Sequence, residues 1–171
     1  MKSRWFVLLA LVLGVGALAG AALSFPASGS FQETGELSGE ADALDAGVVV
    51  VYKTPDCGCC SLWAEHLEEN GFQVDVRDVE DLGSVKKRFD VPVRVASCHT
   101  ALVDGYVVEG HVPADALQRF LQSERHSHAA GLAVPGMPIG SPGMEMPGRA
   151  AESYDVLLFD EAGELEVFER R

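Results

Sequence analysis

The pattern of apolar and polar residues between positions 47 and 90 predicts alternating strands and helices. The β-branched run VVVVYK follows Gly47 and ends in a Thr-Pro-Asp turn, which is typical of a strand buried on both faces. The segment SLWAEHLEEN, residues 61–70, places apolar side chains on one helical face and precedes Gly71, a common helix terminator. Residues 73–79 alternate as a second strand, and residues 80–89 predict a second helix with a basic end.

The following segment predicts a hairpin and a third helix. HTALV and YVVEG flank Asp104 and Gly105, a dipeptide that favours a two-residue hairpin turn. Residues 113–123, PADALQRFLQS, read as a helix with proline at its start. The order β-α-β-α-β-β-α, with cysteines between the first strand and the first helix, is that of a thioredoxin-like α/β domain.

Beyond the third helix the periodicity is lost and then returns. Ala129 to Arg149 are rich in Gly, Pro and Met and predict a loop, whereas Tyr154 to Phe168 predict a β-hairpin. Residues 47–171 therefore form the predicted thioredoxin-like domain, which ends in a Met/Gly/Pro loop and a hairpin.

The first 46 residues have a different character. A basic start precedes an apolar run from Phe6 to Leu23, so residues 1–23 are a predicted signal peptide. An uncleaved anchor is the alternative, because about 18 apolar residues nearly suffice to cross a bilayer. Residues 24–46 are acidic and aperiodic, which predicts a flexible linker. In either case the domain is expected in the periplasm.

The formal net charge of -13 limits the classes of partner. Loss of Lys2 and Arg4 with the leader would change the charge from -13 to -15. Such a surface repels phosphate backbones and anionic lipids, so we expect no nucleic-acid partner and no membrane contact beyond the leader. Cations are the expected ligands.

All four cysteines lie in two places: the motif CGCC, which contains Cys57, Cys59 and Cys60, and the single Cys98. Two stabilising disulfides are one interpretation in an oxidising compartment. However, a bridge inside so short a loop removes little chain entropy. Cys57 and Cys60 also have the C-x-x-C spacing of thiol oxidoreductases, at a helix start that favours thiolate. Cys59 argues against this second interpretation, because a third thiol could capture a mixed disulfide.

A metal cluster accounts for the third thiol. Soft thiolates favour Cu(I) and can bridge several ions. Zinc would need a site completed by Cys98 or by His99, but adjacent Cys59 and Cys60 fit one tetrahedral chelate poorly. Copper as Cu(I) is therefore favoured over zinc.

Further candidate ligands come from two segments. Cys98 and His99 contribute if the segment before the third strand lies beside the cysteine loop, and the alternative for Cys98 is a small buried hydrophobe. Met137, Met144 and Met146 lie in VPGMPIGSPGMEMPG, where thioethers are soft ligands and gap-filling is the alternative. We expect this loop to be a flexible cover or transfer arm above the cluster.

The remaining histidines are weaker candidates. A solvated helical position is the favoured interpretation for His66, and His111 after the hairpin is assigned a structural role. His126 and His128 could form an exposed Cu(II) or Zn(II) site, although exposed tail histidines are commonly inert.

Four segments between about Val48 and Phe168 carry a family resemblance: VYKTPDCGCCSLW, NGFQV, VPVRVASCHTALVDGYVVEGHVP and GLAVPGMPIGSPGME. They resemble the CopG-like family of periplasmic copper-resistance proteins. The resemblance implies a thioredoxin-like fold and a cysteine-bridged, multinuclear Cu(I) cluster, with interconversion of Cu(I) and Cu(II). Carried onto this chain, it assigns the thiolate ligands to Cys57, Cys59, Cys60 and Cys98.

Copper resistance or homeostasis is therefore the expected function. Copper ions and other copper-handling proteins of the envelope are the expected partners, and as an enzyme the protein would be a copper oxidoreductase. Two other functions stay open: an envelope thiol-disulfide oxidoreductase, and a zinc-stabilised interaction module whose metal-free form would unfold.

Overall fold

A computed structural model describes residues 47–123 and 128–171. These residues form a mixed seven-stranded sheet with the order β2-β1-β3-β4-β5-β6-β7. The strands are β1 (Val48–Lys53), β2 (Gln73–Asp78), β3 (Thr100–Val103), β4 (Tyr106–Glu109), β5 (Ala129–Ala133), β6 (Asp155–Asp160) and β7 (Leu165–Arg170). The helices are α1 (Gly58–Glu69), α2 (Leu82–Arg88) and α3 (Ala114–Leu121), with a short 3₁₀ helix at Val93–Val95. The predicted leader, 1–23, and linker, 24–46, lie outside the described residues.

The α/β fold and the predicted order of elements up to α3 are confirmed. Strand β1 pairs in parallel with β2, while β3 runs antiparallel to both β1 and β4. This arrangement agrees with the predicted thioredoxin-like domain. It also places the ends of β1 and β4 and the start of β3 at one end of the sheet, because β1 and β4 both run antiparallel to β3.

The β-branched strand β1 lies at the centre of the hydrophobic core. Val49 and Val51 belong to a cluster on one face of the sheet, and Val50 and Tyr52 belong to a cluster on the other face. Helices α1 and α3 cover the first face, whereas α2 contributes partly buried residues to the second. Helix α1 buries residues at the helical spacing i, i+3, i+4 and i+7, namely Cys60, Trp63, Ala64 and Leu67.

Two predictions of local structure were wrong. The predicted loop from Ala129 to Arg149 begins with strand β5, which pairs in parallel with β4. The sequence AAGLA lacks the β-branched residues that favour strands, and its formation depends on tertiary pairing. Gly131 permits this pairing, because a Cβ there would lie 1.9 Å from the carbonyl oxygen of Val107.

The start of the first helix was also misplaced. The helix begins at Gly58 rather than Ser61, so Cys59 and Cys60 lie in its first turn. Glycine and cysteine are weak helix formers, so helix propensity alone does not extend the predicted helix into the motif.

The C-terminal hairpin is confirmed as β6 and β7, and it extends the sheet beyond β5. The loop that remains, residues 134–154, connects two neighbouring antiparallel strands. None of the three helices in the described parts of the chain has the length and hydrophobicity of a membrane span.

Candidate metal centre

The cysteine motif lies where β1 ends and α1 begins. The backbone N–H of Cys57 donates to the carbonyl oxygen of Thr54 at 3.0 Å, which closes the turn after the strand. Cys57 occupies the N-cap position of α1, and its side chain makes no capping hydrogen bond. The three sulfurs are therefore presented from the cap and the first turn of one helix.

All four cysteine sulfurs lie within 4.8 Å of one another. The two segments are brought together as predicted, because Cys98 lies just before β3 at the same end of the sheet. Cys60 is fully buried and its Sγ lies 3.7 Å from the carbonyl oxygen of Cys98. The geometry can accommodate one or more metal ions, although the binding of metal by these residues stays a prediction.

Two of the four sulfurs form a disulfide in this structure. Cys57 and Cys60 are bonded to each other, and Cys59 and Cys98 are free thiols. The Sγ of Cys59 lies 3.6 Å from that of Cys57. A ligand set of four thiolates therefore requires reduction of the Cys57–Cys60 bond.

The pKa of the Cys98 thiol differs from that expected for a thiol at a helix start. Burial, and next the neighbouring Cys59, raise the pKa of the Cys98 thiol to about 12. Cys98 is consequently protonated at neutral pH when no metal is bound. Binding of a metal ion to its sulfur must release this proton.

His99 and His111 lie against Cys98. The Nε2 atom of His111 is 3.0 Å from the Sγ of Cys98, and the Nδ1 atom of His99 is 3.5 Å from the same sulfur. These three residues form a second group of potential metal ligands within 4.8 Å of one another. The predicted position of His99 beside the cluster is thus confirmed, and Cys98 belongs to both groups.

His111 was missed as a site residue by the sequence analysis. The signal that could have found it is the Asp104-Gly105 turn, which sets the register of the β3–β4 hairpin. Thr100 pairs with Glu109. Continuing this register by two residues places Cys98 opposite His111.

A buried ionic network fixes the segment that carries Cys98. The carboxylate of Glu109 accepts hydrogen bonds from the backbone N–H of Ser97 at 2.5 Å and the hydroxyl of Thr100 at 2.7 Å, and it forms an ion pair with Lys86. Lys86 also donates to the carbonyl oxygen of His99. Burial raises the pKa of Glu109, while Lys86 and the other donors act in the opposite direction. The network holds the residues on both sides of Cys98.

The Met-rich loop lies directly over the start of α1. A Cβ on Gly143 would lie 2.7 Å from the carbonyl oxygen of Cys59, and the carbonyl oxygen of Pro142 lies 2.7 Å from the Nδ1 atom of His111. The loop lies over the start of α1, but it does not have the character of a flexible arm outside the core, because Ser141 and Pro142 are buried within the fold. The connection is a series of hydrogen-bonded turns, which include bonds from Met144 N to Ser141 O and from Gly140 N to Met144 O.

The three methionines are less buried than Ser141 and Pro142 of the same loop. Met137 and Met146 are exposed by 52% and 47%, and Met144 is partly buried. Thioethers at such positions contribute little to the core. Their role as ligands stays a prediction.

The other histidines among the described residues belong to neither group of potential metal ligands. His66 accepts a hydrogen bond from the backbone N–H of Ala114 at 3.1 Å, which caps the first turn of α3. His128 is exposed, and His126 lies outside the described residues.

Comparison with known proteins gives two kinds of match. A family model described as "Protein of unknown function, DUF411" matches residues 95–144. The solved structure of copper resistance protein CopG, form 1, has 41% sequence identity and a TM-score of 0.67, with 72% of this chain and 96% of that chain covered. Form 2 has 40% identity and a TM-score of 0.68, with 72% and 97% covered. The search of curated proteins found no match.

Proposed function

Because the chain belongs to the CopG family of copper-resistance proteins, we propose that it binds copper in copper resistance, holding Cu(I) in a cluster of cysteine thiolates. The observation that carries this proposal is the approach of all four cysteine sulfurs to within 4.8 Å of one another. Sulfurs bound to one tetrahedral ion at about 2.3 Å are separated by about 3.8 Å, so this spacing suits shared metal ions.

Copper is favoured over zinc by the chemistry of the ligands. Thiolates are soft ligands, can bridge several Cu(I) ions, and are presented here from adjacent positions in one helical turn. A zinc-stabilised module would owe its folding to the metal. Here two hydrophobic clusters, one on each face of the sheet, supply a core that does not depend on the site.

Thiol-disulfide exchange is the second candidate function. The Cys57–Cys60 disulfide at the start of α1 favours it, because a C-x-x-C pair at a helix start is the arrangement of dithiol oxidoreductases. Cys59 lies close enough to compete for any mixed disulfide. Cys98 and Cys59 have no part in a simple dithiol cycle, whereas a copper cluster uses all four sulfurs.

The deciding experiment measures metal in reduced protein and compares two single-cysteine variants. Protein isolated anaerobically from copper-supplemented cells should contain more than one copper per chain, with Cu–S bonds and Cu(I) in X-ray absorption spectra. Cys59→Ser and Cys60→Ser should both lower the copper content. Under the oxidoreductase alternative, only Cys60→Ser abolishes disulfide exchange and Cys59→Ser leaves it intact.

The coupling of the distant cysteine is a separate test of the same site. Cys98→Ser should reduce copper stoichiometry or affinity by as much as loss of a motif cysteine, and the double variant with Cys59→Ser should be strongly non-additive. If Cys98→Ser leaves copper binding unchanged, the four-thiolate site is wrong.

We place this activity in the periplasm. The support is the predicted leader at residues 1–23, with its basic start and apolar run. Other copper-handling proteins of the envelope would then be its partners. Interconversion of Cu(I) and Cu(II) also belongs to the proposal, since the site combines thiolates with imidazoles.

A further inference from the structure

A surface cavity of about 940 Å³ lies between the end of α2 and strands β3, β4 and β5. Its floor includes Leu102 and Val107, which belong to the hydrophobic cluster on the second face of the sheet. Phe89, which directly follows α2, lines the same cavity and packs against that cluster. The cavity therefore offers apolar surface to a ligand, and its volume is in the usual range of ligand sites.

The cavity lies toward the end of the sheet opposite to the cysteine sulfurs. Strand β3 begins at Thr100, just after Cys98, and the cavity is lined by Leu102 near the end of this strand. Asp104 and Gly105, which form the turn after β3, also line it. No member of either group of potential metal ligands does so. A ligand in this cavity therefore leaves the candidate metal centre free.

The rim of the cavity is acidic. Four carboxylates line it, and no Lys, Arg or His does so among the described residues. Three of the four are exposed and form no ion pair with another described residue. These three are Asp90, Asp104 and Glu161, and the fourth is Asp160. A site that combines an apolar floor with unpaired carboxylates complements a ligand that is both apolar and cationic.

Two arginines lie beside the cavity and offset only part of this charge. The guanidinium of Arg88 lies 5.4 Å from the centre of the Phe89 ring. Arg94 donates a hydrogen bond to the carbonyl oxygen of Gly163. The four carboxylates of the rim still outnumber these two cations, so the negative charge remains in excess.

The fold does not require a carboxylate at two of the rim positions. Asp90 and Asp104 have φ of +50° and +48°, in the left-handed region. Asparagine and glycine tolerate this region at least as well as aspartate. The backbone therefore accounts for a small residue at these turns, whereas the negative charge at both is explained by a cationic ligand.

A second apolar feature adjoins the cavity. Val93, on the short 3₁₀ helix, is exposed by 90%. Pro92 lines both the first cavity and a second one of about 530 Å³, which Val93 also lines. Lys86 and Lys87 line the second cavity as well, so a basic group is disfavoured there. A small cation in the first cavity would leave Val93 in water, whereas an extended peptide segment would cover both.

We propose that the two cavities dock a segment of a partner protein in which a basic stretch adjoins an apolar stretch. The basic side chains lie between Asp90, Asp104 and Glu161 in the first cavity. The apolar side chains pack against Pro92 and Val93 in the second. This inference goes beyond the proposed copper function, because it uses no residue of the candidate metal centre.

Two other occupants match the rim less well. Residues 24–46, which precede β1, contain five acidic residues and no basic residue. A second copy of the chain has the same formal net charge of -13, so the approach of two copies brings like charges together. A basic segment of a different protein is the occupant that the charges favour.

The experiment measures binding of a defined peptide to protein isolated after expression of the full sequence. The peptide is acetyl-Gly-Arg-Lys-Arg-Gly-Leu-Phe-Leu-Gly-amide, tested in both chain directions by isothermal titration calorimetry at low and high salt. In one control peptide Glu replaces the three basic residues, and in another Ser replaces the three apolar residues. Spermidine is the probe for a small organic cation, and sedimentation velocity reports self-association.

The protein variants separate the rim charges from the general negative charge of the surface. Asp90→Asn with Asp104→Asn removes two charges and keeps a residue that tolerates positive φ. Glu68→Gln with Glu69→Gln is the matched control, because it removes two exposed charges from α1 on the other face of the sheet. Val93→Ser tests the apolar contact without loss of core packing, since Val93 is exposed.

The double aspartate variant should bind the peptide about fivefold more weakly, and the glutamate control should bind it as the wild type does. High salt and both control peptides should weaken binding, and Val93→Ser should weaken binding of the basic–apolar peptide alone. Copper content should be the same in all variants.

Three results would overturn the inference: no binding of the peptide, an equal loss in the glutamate control, or spermidine binding as tight as that of the peptide. A wild-type dimer that dissociates in the double aspartate variant would assign the cavity to a second copy and would overturn it as well. The proposed copper function is tested at the cysteines and would survive each of these outcomes.

Discussion

Lys86 of α2 and the fully buried Glu109 of β4 form an ion pair beneath the segment that carries Cys98. The carboxylate also accepts the backbone N–H of Ser97 and the hydroxyl of Thr100. The pair thus connects a helix on one face of the sheet with the residues on both sides of the candidate ligand. Although Lys86 and Glu109 are not candidate ligands, breaking their ion pair should therefore disturb the candidate ligand Cys98.

The first prediction concerns this network. Glu109→Gln leaves Lys86 with no carboxylate partner, so the free energy of unfolding should fall by about 3 kcal/mol in urea denaturation. Adding Lys86→Met should recover part of the loss, because the uncompensated charge is then removed. Spectra of bound copper should change in Glu109→Gln if the network positions Cys98. An additive double-mutant cycle would contradict the coupling.

The second prediction concerns the contact of the Met-rich loop with α1. Gly143→Ala places a Cβ within 2.7–2.8 Å of backbone atoms of Cys59 and Trp63, at a residue with φ of +81°. Gly148→Ala is the matched control, since Gly148 has φ of +77° and open space around it. In the control the free energy of unfolding should fall by only about 1 kcal/mol, the cost of alanine at a positive φ. Gly143→Ala should lower the free energy of unfolding by more than this and should exchange copper faster. Thermal unfolding and copper transfer to a chelator measure the two effects. Equal losses in both variants would rule out a tight contact.

The third prediction concerns the methionines. Replacing Met137, Met144 and Met146 by Leu keeps volume and apolarity nearly constant, so folding should be almost unchanged. Neutral thioethers bind weakly, so copper stoichiometry should also persist while copper exchange becomes slower. Stopped-flow transfer to a chelator measures this rate. Unaltered kinetics would contradict a role for these thioethers in copper exchange.

The fourth prediction concerns the pH dependence of the metal-free protein. Burial lowers the pKa of His99 and His111 in the folded state, so below pH about 6.5 the unfolded chain binds protons that the folded chain does not. The free energy of unfolding should therefore fall as the pH decreases, with a limiting slope of about 1.4 kcal/mol per pH unit for each histidine. At more acidic pH the raised pKa of Glu109 has the opposite effect, because the folded chain then binds the extra proton and the free energy of unfolding rises as the pH decreases. Urea denaturation between pH about 7.5 and about 5.5, the range in which these histidines titrate in the unfolded chain, measures the slope. His111→Gln should roughly halve it.

The fifth prediction concerns export. A reporter that is active only outside the cytoplasm, fused after Arg171, should be active because residues 1–23 are predicted to direct the chain across the membrane. Deleting residues 1–23 should abolish this activity. A fusion that works only with a cytoplasmic reporter would contradict the prediction.

Elements whose signals are local could be predicted from the sequence. The β-branched run of β1 and the Asp104-Gly105 turn specify their structures within a few residues. Strand β5 could not be found in this way, because Ala-Ala-Gly-Leu-Ala becomes a strand only by pairing with β4. The same reason explains the misplaced start of α1, where packing of Cys60 into the core outweighs weak helix propensity.

The candidate site, too, could be predicted from local sequence signals only in part. The cysteine motif is visible as spacing, and the approach of Cys98 followed from the expected fold. The approach of His111 depends on hairpin register, which must be counted from the turn rather than read from composition. The Cys57–Cys60 pair has the C-x-x-C spacing noted in the sequence, but the sequence alone does not select this disulfide, because Cys59 lies nearer to Cys57 along the chain.

Because residues 134–154 are anchored in the sheet at both ends, the free energy of opening this loop differs from the free energy of global unfolding. Both ends of this loop are held in adjacent strands, since Ala133 pairs with Leu157. We expect the loop to open from α1 with loss of the His111–Pro142 and Ser97–Gly136 hydrogen bonds and of the packing of Gly143, while the strand pairing is kept. Such local opening has its own small free energy, below that of global unfolding. Mutations that stabilise the sheet would then raise the melting temperature without slowing the access of copper to the sulfurs.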